Sequence, residues 1–240
     1  MIYFETFSVP TADTLFLLIL SILTLESAHS IRFLYQHFLS GITEKSLNVF
    51  YYACSYAKVD YSRFMNTTIR IALKLIPDSL QTQPVFLCVD DTIVSKFGTK
   101  FENVSKLFDH AAHNGSNYLN GHCFVSVMLC VPVWNGDKVF YLSVPLGYRM
   151  WQKKESKLEL AASMIRQVMP EFLSKEHVII LCDSWYTKKN LVSIIDEYPN
   201  LDLIGNARID SVMYDLAPER TGRRGRPATV SYTHLKLPTT

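Results

Sequence analysis

The chain has 240 residues, of which 48% are hydrophobic and 19% charged. This composition is typical of a globular protein with a hydrophobic core, and it excludes wholesale disorder, collagen-like repeats and low-complexity sequence. The formal net charge is only +2, so nucleic-acid binding would depend on local features rather than on a global positive field. The five cysteines form no CxxC pair, which favours buried thiols in a reducing compartment over a disulfide framework.

Residues 1–80 are predicted to form a helical N-terminal domain. Thr11 or Asp13 is expected to cap its first helix. Three further amphipathic segments are predicted at 27–39, 46–56 and 61–75. The pattern suits a bundle that only packs and equally a bundle that carries a helix-turn-helix for DNA, so both interpretations stay open.

The segment Leu15–Leu25 is strongly apolar and raises the question of a membrane span. It is about half as long as the ~20 residues that a spanning helix needs. Residues 1–14 contain two acids and no Lys or Arg, unlike the positively charged start of a signal peptide. We therefore expect a buried helix and no membrane partner. The alternative is a membrane-anchored protein, which would require this segment to be exposed.

Residues 81–207 predict a mixed α/β domain. Val85–Val89 and residues 177–182 have the continuous apolar pattern of buried strands, and Asn135-Gly136 between two apolar runs indicates a β-hairpin. The predicted order is strand, hairpin, helix, strand, helix, strand, which gives a mixed sheet flanked by helices. The predicted strands are 85–89, 123–133, 139–144, 177–182 and 201–205, and the predicted helices are 154–169 and 187–198.

Two aspartates follow buried strands of the predicted sheet. Asp91, with Asp90 before it, comes after Val85–Val89, and Asp183 comes after residues 177–182. If these strands are parallel neighbours, both carboxylates lie at the same edge of the sheet and repel each other unless a cation neutralises them. Oxygen ligands of this kind select Mg²⁺ or Mn²⁺. The alternative is that each aspartate is a turn or cap residue, since Asp is common after strands.

Three motifs together resemble the catalytic core of DDE-type bacterial insertion-sequence transposases. They are Val89-Asp90-Asp91-Thr92, the segment Gly147–Lys157, and Leu181–Tyr186. The resemblance covers residues 10–230 and is to the cut-and-paste group around the insertion sequence 4 and 701 families. It implies a ribonuclease H-like core preceded by the helical domain, and a DDE superfamily endonuclease that cuts and rejoins DNA at the ends of a mobile element.

The same resemblance assigns roles to individual residues. The first aspartate of the family directly precedes Thr, so it falls on Asp91 rather than Asp90, and the second falls on Asp183. Both would hold Mg²⁺ or Mn²⁺ as catalytic metal ligands. The implied partner is double-stranded DNA, at element ends and target, bound by a homodimer. The implied localisation is the bacterial cytoplasm, at the nucleoid when the protein is bound to DNA.

The third carboxylate of the family, a Glu on a helix beyond a β-rich insertion, has no counterpart in this sequence. Residues 208–230 correspond to the basic start of that insertion, and Glu219 lies there in an Arg/Gly-rich loop. Residues 231–240 fit nothing upstream and resemble a foreign tail. The expectation is a C-terminally truncated transposase, with a catalytically inactive DNA-binding remnant as the alternative.

Several basic residues are candidates for DNA binding. Arg223, Arg224 and Arg226 in the run Arg-Arg-Gly-Arg-Pro resemble the minor-groove-binding core of an AT-hook. Lysines on either side of the predicted site are candidates for phosphate contacts. These lysines are Lys153, Lys154, Lys157, Lys188 and Lys189. A solvated loop or helix face is the alternative for each of them.

Two other groups of residues in the sequence have more than one possible role. A zinc set of three histidines and one cysteine is conceivable, but its spacing lacks a paired CxxC or HxxxH motif. Its members would be His110, His113, His122 and Cys123. Trp185 and Tyr186 are expected to pack at the rim of the sheet, with base stacking as the alternative for them.

Overall fold

The computed structural model describes residues 7–27, 30–57, 60–98, 100–108 and 117–207, and the backbone of two short paired strands, β7 (Met213–Tyr214) and β8 (Ser231–Tyr232). The described chain begins with helices and continues into a mixed sheet. This order confirms the predicted α/β class. The predicted C-terminal features at Arg223, Arg224, Arg226 and Glu219 lie outside the described residues.

Three N-terminal helices form a small apolar cluster of their own. Helix α1 is Val9–Thr24, α2 is Ile31–His37 and α3 is Leu47–Ser55. The buried members of the cluster are Leu17, Leu18, Leu34, Leu39 and Phe50. The predicted cap at Thr11 or Asp13 is wrong, because α1 begins two residues earlier, with Pro10 in its first turn and Ser8 at the N-cap. Proline is well suited to that position, since its fixed φ and missing N–H cost nothing there.

The apolar segment Leu15–Leu25 is buried on one face of α1 only. Leu17 and Leu18 are buried, whereas Phe16, Ile19, Ile22 and Leu23 are about half or more exposed. None of the helices in the described part of the chain has the length and hydropathy of a membrane span. The expected burial of this segment therefore holds for one face of the helix and not for the other.

Helix α4 (Tyr61–Lys74) packs on the sheet rather than with the first three helices. Asp60 caps it by accepting a hydrogen bond from the backbone N–H of Arg63 at 3.0 Å. Its apolar face contributes Met65, Ile69 and Ala72 to the main core. The division of the chain at residue 80 stays a prediction.

The described sheet contains six strands in the order β2-β3-β1-β5-β6, with β4 also paired to β3. The strands are β1 (Val85–Ser95), β2 (Ser105–Phe108), β3 (Tyr118–Asn135), β4 (Lys138–Met150), β5 (Val178–Cys182) and β6 (Leu201–Gly205). Strand β3 pairs antiparallel with β1, β2 and β4, whereas β5 pairs parallel with β1 and β6. The predicted hairpin is confirmed: β3 and β4 are joined across Gly136, whose φ is +62°.

Two crossover connections return the chain to the parallel part of the sheet. Helix α5 (Lys157–Val168) and the 3₁₀ turn Met169–Phe172 connect β4 to β5. Helix α6 (Lys189–Val192) and the 3₁₀ turn Ser193–Glu197 connect β5 to β6. The second predicted helix, 187–198, is thus one short α-helical turn followed by a 3₁₀ segment.

Strand β1 is longer than its apolar run predicts. Its pairing with β5 ends at Val89, but its antiparallel pairing with β3 continues to Ser95. Asp90 and Asp91 therefore lie within β1, at the point where only one neighbouring strand remains. A long partner strand supplies backbone hydrogen bonds that the local sequence does not reveal.

Candidate functional site

Asp91 lies on the side of the sheet that the helices cover. Side chains alternate along a strand, and Asp91 continues the inward-facing row of Val85, Leu87 and Val89. Those three residues are at most 3% exposed, whereas the side chain of Asp91 is 21% exposed. The sheet register therefore directs one carboxylate to the edge of the hydrophobic core.

The Asp91 carboxylate is held by three side chains from three different elements. Lys157 donates to Oδ2 at 2.6 Å, and the Cys123 thiol donates to the same oxygen at 3.2 Å. The Tyr186 hydroxyl donates to Oδ1 at 3.2 Å. A buried carboxylate needs such partners, because losing its hydration is costly. Both oxygens are thus engaged by donors of the protein itself.

Lys157 is the first residue of α5, and the start of this helix is firmly fixed. Ser156 caps the helix by accepting from the backbone N–H of Glu159 at 3.1 Å, and the Glu159 side chain accepts from the Ser156 N–H at 2.8 Å. This capping box fixes where the helix begins. The ammonium of Lys157 also lies 5.9 Å from the ring centre of Trp151 and 5.4 Å from that of Trp185, within the range of cation–π attraction.

The pKa shifts follow from this cluster. Burial would raise the pKa of Asp91, but Lys157, Cys123 and Tyr186 together lower it below its usual range. Burial would lower the pKa of Lys157, but the hydrogen bond and charge of Asp91 raise it. Burial, followed by the charge of Asp91, raises the pKa of Tyr186, so the phenol keeps its proton. At neutral pH the arrangement is therefore an ionised carboxylate facing an ammonium and a neutral phenol.

Asp183 stands where β5 ends and fixes the turn that follows it. Its Oδ1 accepts from the backbone N–H of Trp185 at 3.0 Å and of Tyr186 at 3.3 Å. Its Oδ2 accepts no hydrogen bond from the residues that the structure describes. This turn buries the Tyr186 ring completely. Tyr186 therefore joins the two aspartates, since its N–H contacts Asp183 and its hydroxyl contacts Asp91.

The parallel register places the two aspartate strands side by side. Val89 of β1 pairs with Cys182 of β5, so Asp91 and Asp183 follow the last paired residues of two adjacent strands. Neighbouring strands are about 4.8 Å apart in the hydrogen-bonding direction. The two apolar runs before the aspartates are thus adjacent parallel strands, but only Asp183 follows a strand end, since Asp91 lies inside β1 and two residues beyond its last pair with β5.

Asp90 points to the opposite face of the sheet. It is exposed, and its Oδ1 accepts from the backbone N–H of Asp91 at 2.8 Å. Its carbonyl oxygen accepts from the Ser126 hydroxyl at 3.1 Å. Two adjacent carboxylates thus have different surroundings, and the structure brings only Asp91 into contact with Lys157 and Tyr186.

Three of the lysines predicted to bind DNA lie in loops, whereas Lys157 is the first residue of α5 and Lys189 the first residue of α6. Lys153 and Lys154 are exposed in the loop between β4 and α5. Lys188 is exposed before α6, with its ammonium 4.7 Å from the ring centre of Trp185. Trp185 is 37% exposed, and Tyr186 is buried. The candidate arginines 223, 224 and 226 lie outside the described residues.

The histidine and cysteine of the conceivable zinc set separate in the structure. His122 Nε2 lies 2.8 Å from the carbonyl oxygen of Glu102, whereas Cys123 faces Asp91. His110 and His113 lie outside the described residues. Burial and the neighbouring Asp91 raise the pKa of Cys123 to about 11, so this thiol keeps its proton and acts as a donor.

The sequence pattern does not reveal the connections within the cluster. It makes Lys157 a candidate for phosphate contacts, Cys123 for zinc and Tyr186 for packing, without joining any of them to Asp91. The usable signal was the alternation along β1 and β3, which puts Asp91 on the inward face, paired with Val125 and near Cys123. The partner from α5 had no such signal, because the path of a crossover helix is set by tertiary packing.

The carboxylate oxygens of Asp91 and Asp183 are suitable ligand atoms for a divalent cation. Carboxylate oxygens are the ligands of Mg²⁺, which is commonly bound by one or two carboxylates with water and substrate phosphates completing its shell. Within the described ranges, no group of three His, Cys, Asp or Glu side chains could hold a metal ion. These two aspartates offer carboxylate oxygens of the right chemical type, and Lys157 already balances the charge of one of them, Asp91.

A family model described as DDE superfamily endonuclease matches residues 46–239, well over half of the chain. The match spans both aspartates, all strands of the main sheet, and Lys157. No curated protein is significantly similar to the chain. A mixed sheet flanked by helices is compatible with the ribonuclease H-like fold of DDE enzymes.

Proposed function

The chain belongs to the DDE superfamily endonuclease family, and we propose that it is the transposase of an insertion sequence of the 4/701-like group. Its substrate is double-stranded DNA at the element ends and target, and its reaction is cut-and-paste strand cleavage and transfer. The observation that carries this proposal is that Asp91 lies in β1 and Asp183 directly follows the adjacent parallel strand β5, with Tyr186 contacting both.

In this proposal Asp91 and Asp183 are the metal ligands, and Mg²⁺ or Mn²⁺ is the ion. When bound there, such an ion would supply the activation of a water molecule and the stabilisation of the leaving oxygen of a phosphodiester. Tyr186 keeps the two carboxylates in position, since it contacts both of them. Lys157 keeps Asp91 ionised before the ion binds, because its ammonium favours the charged form.

The DNA contacts belong to the loops beside the carboxylates and to the basic C-terminal run. Lys188 is exposed at Trp185, where a phosphate backbone that approaches Asp91 would pass, and Lys153 and Lys154 are exposed in the loop before α5. Arg223, Arg224 and Arg226 supply a minor-groove contact in the same proposal. We further propose a homodimer on DNA and a cytoplasmic protein that is at the nucleoid when bound, as the resemblance implies.

The second candidate function is a DNA-binding remnant without cleavage activity. It is favoured by one observation: in the part of the chain that the structure describes, no third acidic side chain completes a metal-binding group with Asp91 and Asp183. Such a protein would bind DNA through its lysines and arginines and would not cut it. The two candidate functions therefore differ in one measurable property, the cleavage of DNA.

The test is nicking of supercoiled plasmid DNA by the purified full chain with Mg²⁺ or Mn²⁺. For an active transposase, Asp91→Asn and Asp183→Asn each reduce nicking about 100-fold or more, because each removes a ligand of the clamp. The matched control is Asp90→Asn, which changes the adjacent exposed carboxylate and leaves nicking within about threefold.

DNA binding is measured on the same proteins by fluorescence anisotropy at several salt concentrations. Binding that weakens steeply with salt, without nicking by any variant, favours the remnant. Nicking that survives both Asp91→Asn and Asp183→Asn rules out these aspartates as the metal ligands. Loss of nicking in Asp90→Asn alone would indicate that the first metal ligand is Asp90, on the other face of the sheet, and not Asp91.

A further inference from the structure

We propose that Lys157 is an exchangeable counter-ion: it occupies the cation position at Asp91 and leaves that carboxylate when a divalent cation binds there. The inference rests on the proposed function, because it takes Asp91 as a ligand of that cation. It adds a competition between a side chain of this chain and the metal ion.

The first support is the geometry at Oδ2 of Asp91. The Lys157 ammonium is 2.6 Å from this oxygen, and both side chains are only about one-fifth exposed. A divalent ion bound to the same oxygen would lie within a few ångströms of the ammonium. Two positive charges at that distance repel strongly in a partly buried site, where water screens them poorly. The ion and the ammonium therefore compete for Asp91.

The second support is the place of Lys157 in its helix. The N-terminus of a helix is its positive end, where an acid is favoured and a lysine is not. Glu159 satisfies this preference in the first turn of α5 by bonding to Ser156. Lys157, in contrast, is stabilised in its position by Asp91, and it loses that stabilisation as soon as Asp91 has another cation.

The third support is that other groups near Lys157 can stabilise its ammonium after it leaves Asp91. The rings of Trp151 and Trp185 lie 5.9 Å and 5.4 Å from it, and cation–π attraction to them persists without Asp91. A lysine head group is a compact charge on a flexible stem, so it can shift while its backbone stays in the helix. The side chain can therefore turn toward solvent or toward a DNA phosphate without unfolding α5.

The test measures Mn²⁺ affinity of the full chain without DNA, by electron paramagnetic resonance of the free ion. Lys157→Met keeps the length of the side chain and removes its charge. We expect Lys157→Met to bind Mn²⁺ about tenfold more tightly or better, the scale of one charge pair in a partly screened site. The matched control is Lys188→Met, which removes the other lysine at Trp185 but no partner of Asp91, and should change affinity by less than about twofold.

The same titration of Asp91→Asn separates the inference from the proposed function. If Asp91→Asn abolishes Mn²⁺ binding while Lys157→Met binds no more tightly than the wild-type chain, the exchange is wrong and the metal site stands. If neither the wild-type chain nor Lys157→Met binds Mn²⁺ through Asp91, both the proposed metal site and the exchange are wrong. Tighter binding by Lys188→Met of the same size would also contradict a specific exchange.

A measurement on the wild-type chain keeps the inference testable if Lys157→Met does not fold. Amine-reactive labelling followed by peptide mass spectrometry reports how available each ammonium is. Release from Asp91 should increase the labelling of Lys157 several-fold when Mn²⁺ is added, because an ion-paired amine reacts slowly. Lys188 serves as the internal reference. Unchanged labelling of Lys157 at saturating Mn²⁺ overturns the exchange.

Discussion

The two faces of the β1–β5 sheet differ sharply in what covers them. On one face, Val85, Leu87 and Val89 join the helices in a single core and are almost fully buried. On the other face, Phe86 and Cys88 are only partly buried and do not belong to that core. The comparison teaches why adjacent aspartates differ: Asp91 continues the covered row and meets α5, whereas Asp90 continues the open row and meets solvent.

The largest expected difference between the faces concerns stability. Ile180 and Ile179 are neighbours on β5, one fully buried in the core and one partly exposed on the other face. Ile180→Ala should destabilise the chain by about 3–4 kcal/mol, because it leaves a cavity in a packed core. Ile179→Ala should cost about 1–2 kcal/mol, since much of its side chain already touches water. Urea unfolding of the two variants measures both values.

Equal losses from these two substitutions would show that the open face is covered in solution as completely as the other. The two variants make the same substitution in the same strand, so strand propensity cancels between them. The difference in their unfolding free energies therefore reports the difference in burial between the faces.

A smaller difference is expected for two tyrosine hydroxyls. Tyr186→Phe removes the hydrogen bond to Asp91 on the covered face and should cost about 1 kcal/mol, because a buried acceptor loses a partner. Tyr141 lies on the open face against Phe86, at a ring distance of 5.0 Å. Tyr141→Phe should change stability by less than about 0.5 kcal/mol. Thermal unfolding compares the pair, and a larger loss from Tyr141→Phe would contradict the assignment of polar bonding to the covered face.

Sequence patterns predicted much of the sheet and less of what surrounds it. The strand Leu201–Gly205 and the hairpin at Gly136 were predicted because apolar runs and Asn-Gly are strong local signals. Strand β2, at Ser105–Phe108, was not predicted, because four residues carry too little pattern. The extension of β1 through Asp91 was not predicted, because two consecutive aspartates are typical of the end of a strand. In the structure, β3 continues to pair with both of them.

The same distinction holds for the site: local sequence patterns predict where the aspartates lie, but not which distant residues contact them. Asp91 and Asp183 could each be placed near a buried strand, since each follows a recognisable apolar run, and the structure shows that these two strands are parallel neighbours. The connections of the aspartates could not be predicted, because Cys123, Lys157 and Tyr186 are 32, 66 and 95 residues from Asp91 along the chain. Contacts at such separations depend on where helices cross the sheet, which local periodicity does not specify.

The smallest expected effect concerns Cys88, a free thiol of the open face. Burial, and then the neighbouring Cys130 with its sulfur 3.8 Å away, raise the pKa of Cys88 to about 11. A raised pKa means that the neutral thiol is favoured. The reactive thiolate of Cys88 is therefore scarce at pH 8 and increases as the pH approaches 11. The thiolate is therefore much scarcer at pH 8 than it is for an ordinary cysteine.

Alkylation of Cys88, followed by peptide mass spectrometry across pH 7–10, tests how dry the open face is. The rate should rise with pH over the whole range without levelling off, and Cys130→Ala should raise it a few-fold at pH 8, because the minor of the two causes is removed while burial remains. A rate that levels off near pH 9 would mean that water reaches this thiol freely. The open face would then be fully accessible to solvent. In that case Asp90 and Asp91 would differ because one lies on a solvated surface and the other beside a packed core.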